Sequence, residues 1–304
     1  MKVKQFQPYI GEEEYKAIKE CFDNNWITEG PKAKEFNDRL CDLIGCKYGV
    51  FANNGTLSLY LGLSAMGIKP GDEVIVPDFT FIASANAVKM IGANPVFADI
   101  NKKTLHIDIS ECERLVNEKT KAIMPVHIYG MSSNMDEIMA FAERHNLKVI
   151  VCTDDEEIYK KLLYLRNQGR IERGTFVHPE IGYNFRITDI QAAMGIVQID
   201  KLDKIKERKQ NILSTYKDFL SDVKGLTIVG PPAASSHIPF RVAMIFDKPS
   251  ESISEHLGSH GIETRTFFYP LHKQPCYDTG AHLKNSTYLY EHGLCMPSYP
   301  DLKT

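Results

Sequence analysis

The sequence predicts an α/β protein whose mainly parallel sheet is followed by a smaller α+β unit. The first observation is that short apolar, β-branched segments alternate with amphipathic helical segments over the first 150 residues, as in successive βαβ units. The second is that the pattern changes further along, to a long helical stretch and then Pro-rich and strand-like segments. We therefore expect a large domain over residues 1–204 and a small domain over residues 205–304.

Capping residues and apolar spacing define the elements of the large domain. Pro31 near the start of one helix and Gly45 just past its end are typical helix boundaries, and Gly67 closes the next helix. The predicted helices are EEEYKAIKECFDN, PKAKEFNDRLCDLIG, NGTLSLYLGLSAMG, TFIASANAVKMIG, SECERLVNE and NMDEIMAFAERHN. The predicted strands are YGVFAN, PGDEVIVPD, NPVFADI, TKAIMPVHIYG and LKVIVC.

The remaining elements follow from the same signals. Thr153 is the expected N-cap of a helix TDDEEIYKKL, and Thr188 that of a long or broken helical stretch that connects the domains. In the small domain, SISEHLGSHG reads as a helix closed by Gly261, and RVAMIF and IETRTFFYPL as strands.

Composition excludes several classes of function. Lys and Arg total 36 against 39 Asp and Glu, a net charge of −3, so a nucleic-acid-binding face is not expected. Seven scattered cysteines without a C-x-x-C pair indicate reduced thiols. The N-terminus is unlike a signal peptide and no apolar run reaches membrane-spanning length, so we expect a cytoplasmic protein without membrane contact. HLGSH lacks the Glu of a zinc motif, and no metal site is expected.

The turn FANNGT is the first candidate binding element. Gly55 and Thr56 stand between a predicted strand and a helix, where free backbone N–H groups and a hydroxyl can bind an anion such as phosphate. A plain N-cap is the alternative interpretation.

Three further segments carry candidate residues. Phe79 and Phe81 follow the next strand, where a ring could cover a planar ligand or simply join the core. The loop GYNFR, which includes Asn184, is rich in hydrogen-bonding groups. In FFYPLHKQPCY, Tyr269 and His272 could bind phosphate or sugar hydroxyls or belong to a solvated loop.

Taken together, these segments resemble the DegT/DnrJ/EryC1/StrS family of pyridoxal-phosphate-dependent nucleotide-sugar aminotransferases. The matching landmarks run nearly end to end and are WITEGPKAKEF, NNGTLSLYLGLSAMGIKPGDEVIVPDFTFIASANAV, GANPVFADI, TKAIMPVHIYG, DDEEIYKKLLYLRNQG, IGYNFRITDIQAAMGIVQIDKLD and GIETRTFFYPLHKQPCY. The wording is closest to the GDP-perosamine synthases, which aminate GDP-4-keto-6-deoxymannose with glutamate. SSHIPFRVAMIF differs from the Y-W-M sequence pattern of that subgroup, so the identity of the sugar substrate stays open.

The resemblance implies a fold and a set of roles. The implied fold is of the aspartate-aminotransferase type (fold type I). Gly55 and Thr56 would bind the phosphate of pyridoxal 5'-phosphate, Phe81 would stack on its pyridine ring, and Asn184 would reach the cofactor phosphate of the neighbouring subunit in a homodimer. Thr28, Tyr269 and His272 would line the nucleotide-sugar side.

One segment that the resemblance implies is missing. In the family, the strand matching LKVI runs into an acidic segment whose Asp pairs with the pyridine nitrogen, and S-F-x-x-x-K later supplies the Schiff-base lysine. Here Ile150 is followed by Val151, Cys152 and Thr153, so no catalytic residue can be assigned. Lys148, Lys160 and Lys161 are poor substitutes because each reads as a solvated charge. A further helix is also expected after MPSYPDLKT.

The gap leaves two interpretations open. Either the chain is a deleted relative that binds without transaminating, alone or as a partner of an intact subunit, or a segment of a normal enzyme is omitted from it. A long Ile150–Thr153 separation would favour the omission. The leading hypothesis is a glutamate-dependent aminotransferase of a 4-keto sugar nucleotide. A 3-keto aminotransferase and a sugar dehydratase of the same fold, with His in place of the Lys, are alternatives.

Overall fold

The computed structural model describes residues 2–150, 154–170, 176–231, 237–277 and 279–303. The junction between Ile150 and Thr153 therefore lies outside the described residues, as do the end of the predicted strand LKVIVC and the predicted cap Thr153. Within the described parts, no helix is both long and apolar enough to cross a membrane.

The first half of the chain folds around a four-stranded parallel sheet, as predicted. Its order is β2-β1-β3-β4, so β1 lies in the interior and its carboxyl end faces the crevice where ligands bind in open α/β sheets. The strands are β1 (Glu73–Pro77), β2 (Asn94–Ala98), β3 (Thr120–Ile123) and β4 (Lys148–Val149).

Seven helices accompany this sheet in the described residues. Their core faces bury Leu63, Val88 and Phe141 against the strands. The helices are α1 (Glu12–Asp23), α2 (Pro31–Ile44), α3 (Gly55–Ala65), α4 (Ala83–Met90), α5 (Ile109–Leu115), α6 (Met135–Arg144) and α7 (Glu156–Arg166), with a short 3-10 turn at Ile128–Gly130.

The second half forms a four-stranded antiparallel sheet of order β5-β6-β8-β7. One face is covered by a long helix, and the other packs on residues that follow the parallel strands, among them Phe79 and Tyr129. Its elements are α8 (Asp189–Asp200), α9 (Leu202–Leu220), β5 (Leu226–Ile228), β6 (Val242–Phe246), α10 (Glu251–Ser259), β7 (Arg265–Thr266), the 3-10 turn Leu271–Lys273, α11 (Lys284–His292) and β8 (Gly293–Met296).

The chain termini complicate the expected two-domain division. Val3 forms a parallel bridge with Ile262, and the Gln5 backbone N–H donates to the Glu263 carboxylate at 3.3 Å. The first residues are thus paired with the C-terminal half. The boundary at residues 204 and 205 stays a prediction.

Two local predictions are wrong. YGVFAN is not a strand, because no described strand pairs with it. Its rings pack on helices instead: Tyr48 stacks on Tyr159 at 4.4 Å and Phe51 on Phe36 at 4.8 Å. The N-cap of α7 is Asp155, whose carboxylate accepts the backbone N–H groups of residues 157 and 158 at 2.8 and 3.0 Å.

An open groove runs beside β4, which is an edge strand among the described residues. The groove has a volume of about 820 Å³ and lies between α3, α6 and α7. Its lining is largely apolar and includes Met66, Met139, Leu147, Val149, Ile158 and Leu162.

Candidate functional site

A cavity of about 210 Å³ lies where the segment after β1 meets the antiparallel sheet. Its walls are aromatic on one side and carry two arginines on the other. It is lined by Thr80, Phe81, Ile82, Tyr129, Arg241, Arg265, Thr266, Phe267, Phe268, Tyr269, Gln274 and Cys295. This is the edge of a parallel sheet at which binding sites are expected.

Two residues predicted from separate motifs meet in this cavity. The Phe81 ring is 56% exposed and stands edge-on to Phe268, with 6.4 Å between ring centroids. Tyr269 is 40% exposed and lies edge-on to Tyr290 at 5.0 Å. An apolar ring left this exposed at a cavity wall is available to cover a flat ligand.

Tyr129 builds the back wall. It is buried with its ring parallel to that of Phe268 at 5.6 Å, and burial raises its pKa well above the usual value. Its backbone is left-handed, with φ 53°, and Gly130 follows with φ 85°. A Cβ on Gly130 would lie 2.1 Å from the carbonyl oxygen of Ile238, so glycine is required at this turn.

A buried polar cluster sits behind β1. The Asp78 carboxylate accepts the backbone N–H of His272 and pairs with its ring Nδ1, each at 2.7 Å, and also accepts the Ser286 hydroxyl. Burial raises the pKa of Asp78, and these hydrogen bonds oppose the shift. His272 is 2% exposed and does not line the cavity, and its Nε2 has no partner among the described residues. Its sugar-binding role stays a prediction.

The turn before α3 and the GYNFR loop lie side by side. The Asn54 side chain caps α3 by accepting the Leu57 N–H at 3.1 Å. Asn53 donates its amide to the backbone oxygen of Arg186 at 2.9 Å, and Arg186 donates its Nε to the Asn184 side-chain oxygen at 3.1 Å. Asn54 is thus the N-cap of α3.

The contacts of Asn53 and Arg186 thus bring the turn that holds Gly55 and Thr56 next to the loop that holds Asn184. Gly55 and Asn184 are exposed and Thr56 is half-buried. Nothing lies within 4 Å of where a Cβ on Gly55 would be. The start of α3 is therefore open to a ligand, and phosphate binding there stays a prediction.

Thr28 lies apart from the Phe81 cavity. It is exposed, and its backbone oxygen accepts the N–H of Asp189 at the start of α8 at 3.1 Å. Its predicted role at the nucleotide sugar stays a prediction, since it is not among the lining residues.

The geometry can be compared with known proteins. The model of the DegT/DnrJ/EryC1/StrS aminotransferase family matches residues 8–152 and residues 150–304. The chain belongs to this family. Its members are pyridoxal-phosphate-dependent sugar aminotransferases that act in nucleotide-sugar and polysaccharide biosynthesis.

Relatives of this DegT-family chain resemble it over most of their length. The GDP-perosamine synthase of Caulobacter vibrioides is 33% identical over 91% of this chain and 86% of its own. The structure of S. venezuelae DesV in complex with a ketimine intermediate is 26% identical and covers 96% of this chain and 90% of its own, with a TM-score of 0.90. NtdA from Bacillus subtilis, solved with bound PMP, is 25% identical over 98% and 81%, with a TM-score of 0.88. The predicted aspartate-aminotransferase-like fold is confirmed.

The match to the family model is divided into two pieces at the point where the sequence lacks the expected segment. The two matched pieces meet at residues 150–152. The alignment with the C. vibrioides protein has 323 positions but takes in 91% of 304 residues, about 277, so about 46 positions have no residue of this chain. This DegT-family chain is therefore shorter than its relative by an internal segment.

Pyridoxal phosphate, the cofactor that the family implies, fits the described residues only in part. Phe81 offers a ring face and α3 offers an open N-terminus, but no lysine lines the cavity among the described residues. Lys148 donates to the backbone oxygen of Met66 and Lys160 pairs with two glutamates of α7, so neither is a substitute. Among the described residues, the cavity therefore offers a ring face for the cofactor and no lysine for its covalent attachment.

The motifs of the sequence did not reveal the two arginines of this cavity. Arg241 and Arg265 stand in strand-like segments rather than in a recognisable motif. The alternation of side chains along a strand was the available signal, because Arg241 and Ala243 are two residues apart and so lie on one face.

Proposed function

We propose that this chain takes part in the transfer of an amino group from glutamate to a 4-keto sugar nucleotide. It would bind pyridoxal phosphate without forming a covalent bond to it. One observation carries the proposal: Phe81 and Tyr269, taken from separate motifs, line one cavity at the carboxyl end of β1. A ring face next to a tyrosine hydroxyl suits a flat cofactor beside a sugar.

The proposed roles follow from what each side chain can do. Thr56 and the free N–H groups at the start of α3 would donate hydrogen bonds to the cofactor phosphate. Phe81 would cover one face of the pyridine ring and exclude water from it. Pyridoxal phosphate, when bound, supplies the electron sink for amino transfer. Since no lysine among the described residues lines the cavity to move a proton, turnover by this chain alone is not expected.

A homodimer belongs to the same proposal, with Asn184 reaching the neighbouring subunit's cofactor. Residues 6–44 support it, because eight large apolar side chains there are 48–65% exposed. Large apolar side chains left exposed in such number are typical of interfaces. The eight are Phe6, Ile10, Tyr15, Phe22, Trp26, Ile27, Leu43 and Ile44.

Equilibrium dialysis with pyridoxal phosphate tests the proposal. We expect the wild-type chain to retain the cofactor, and Thr56→Val, Phe81→Ala and Asn184→Ala each to weaken binding about tenfold, the effect of one lost hydrogen bond or stacking contact. Phe219→Ala removes an aromatic ring that is 81% exposed near the end of α9 and serves as the matched control.

The control variant should bind as the wild type does. Retention that is equal in all four variants would contradict the proposed site, and so would the absence of any retention by a folded wild-type chain.

A further inference from the structure

Two guanidinium groups in the cavity lack an acidic partner. Arg241 is half-buried and Arg265 is exposed, and both line the cavity beside Phe81. Neither forms an ion pair with any carboxylate of the residues that the structure describes. The chain has a net charge of −3, so these two cations are not part of a generally basic surface. Two guanidinium groups without a carboxylate partner in one small cavity favour the binding of an anionic ligand.

Strand register explains why the two arginines converge. Arg265 pairs with Cys295, and Cys295 pairs with Ala243 on its other side, so the side chains of all three lie on one face. Arg241 precedes Ala243 by two residues and joins that face. The outer strands are about 10 Å apart across β8, and two arginine side chains can reach inward over the small residues Ala243 and Cys295 to a shared group.

The other ionisable groups of the cavity cannot neutralise this charge. Burial raises the pKa of the Cys295 thiol to about 11, even though Tyr129 and both arginines act to lower it. Burial likewise raises the pKa of Tyr129 well above its usual value. Both groups are therefore uncharged at neutral pH, and the positive charge of the arginines is uncompensated.

The charge of Arg241 also affects Lys209, a residue of α9 on the opposite side of β6. Lys209 on α9 donates to the backbone oxygen of Phe240 at 3.0 Å. Its pKa is lowered to about 8, by burial first and then by the charge of Arg241. The charge of Arg241 thus adds to the effect of burial on Lys209.

We propose that Arg241 and Arg265 form a carboxylate-binding subsite, and that the sugar that this cavity accepts is an acidic one. The paired guanidinium groups would take the carboxylate, and Phe268, which lines the same cavity, would pack on the sugar ring. Arg241 belongs to SSHIPFRVAMIF, the segment that departs from the wording of the GDP-perosamine synthases.

This inference deepens the proposed function and rests on it for the sugar-binding role of the cavity. Its test uses the chain without cofactor, so that it can fail while the dialysis experiment succeeds. Titration calorimetry would be run with glucuronate, with its neutral counterpart glucose, and with glutarate, which carries carboxylates but no ring.

We expect glucuronate to bind more tightly than glucose or glutarate. Arg241→Met and Arg265→Met should each weaken glucuronate binding about tenfold or more, since each removes a charge-assisted hydrogen bond. Phe268→Ala should weaken glucuronate binding and leave glutarate unaffected. Arg114→Met is the matched control, because Arg114 is 70% exposed and paired with Glu111 on α5.

Arginine modification by phenylglyoxal keeps the test independent of variant folding. Glucuronate should protect Arg241 and Arg265 of the wild-type chain, and not Arg114, as mapped by peptide mass. Equal binding of glucose, glutarate binding as tight as that of glucuronate, or an absence of protection would each overturn the proposal.

Discussion

Lys209 shows at the residue scale how one charge affects another through the sheet. An exposed lysine has a pKa near 10.5, whereas burial and the charge of Arg241 lower that of Lys209 to about 8. Between these two values the unfolded chain binds a proton that the folded chain has lost. The free energy of unfolding therefore rises with pH across this window.

Replacement of Lys209 removes this pH dependence. We expect the unfolding free energy of the wild type to rise relative to that of Lys209→Met between pH 8 and pH 10.5, as measured by urea denaturation at several pH values. Lys204→Met, an exposed position on the same helix, should follow the wild type. Parallel curves for the wild type and Lys209→Met would show that Lys209 titrates normally.

Residue-scale roles could be predicted from the sequence only where a motif marked them. Phe81 and Tyr269 stand in recognisable segments, and they do line one cavity. His272 stands in the same kind of segment but is buried against Asp78, since burial depends on tertiary packing that a motif does not encode. Arg241 and Arg265 come together only through the pairing of both β6 and β7 with β8.

At the element scale, α8 holds the start of α2. The Asp189 carboxylate is buried and accepts the backbone N–H groups of Gly30, Lys32 and Ala33 at 2.7, 3.1 and 2.9 Å. These are N–H groups at a helix start, which have no partner within their own helix. A negative charge there also suits the helix dipole.

Asp189→Ala should therefore destabilise the fold. We expect a loss of about 2–3 kcal/mol in the free energy of unfolding, because backbone donors of the first turn lose a charged acceptor. Asp203→Ala is the control: Asp203 is 94% exposed and lies in the first turn of α9, and its loss should change stability by about 0.5 kcal/mol or less. A loss below 1 kcal/mol in Asp189→Ala would contradict this anchoring role.

Elements with local signals were predictable, and those that depend on distant partners were not. Thr188 caps α8 as predicted, in a capping box with Gln191, and Gly45 ends α2 with φ 77°. Caps of this kind are decided by a few neighbouring residues. YGVFAN has the composition of a strand, but a strand also needs a partner to pair with.

At the scale of the whole molecule, the family scaffold is present with an internal segment missing. Among the described residues the parallel sheet ends at β4, and an apolar groove lies open beside it. The two matched pieces of the family meet at residues 150–152. The family order and the two sheets were predictable because alternating strands and helices leave few arrangements. The family resemblance implies that the missing segment would carry the lysine that attaches the cofactor, and under the proposed function binding and chemistry are therefore separated in this chain.

Borohydride trapping tests this separation most directly. The chain would be incubated with one equivalent of pyridoxal phosphate, reduced with borohydride, and analysed by intact mass and peptide mapping, with Phe81→Ala alongside. We predict that no lysine acquires a stoichiometric pyridoxyl group, although dialysis shows the cofactor retained. One pyridoxyl group per chain on a single lysine, lost in Phe81→Ala, would contradict the account.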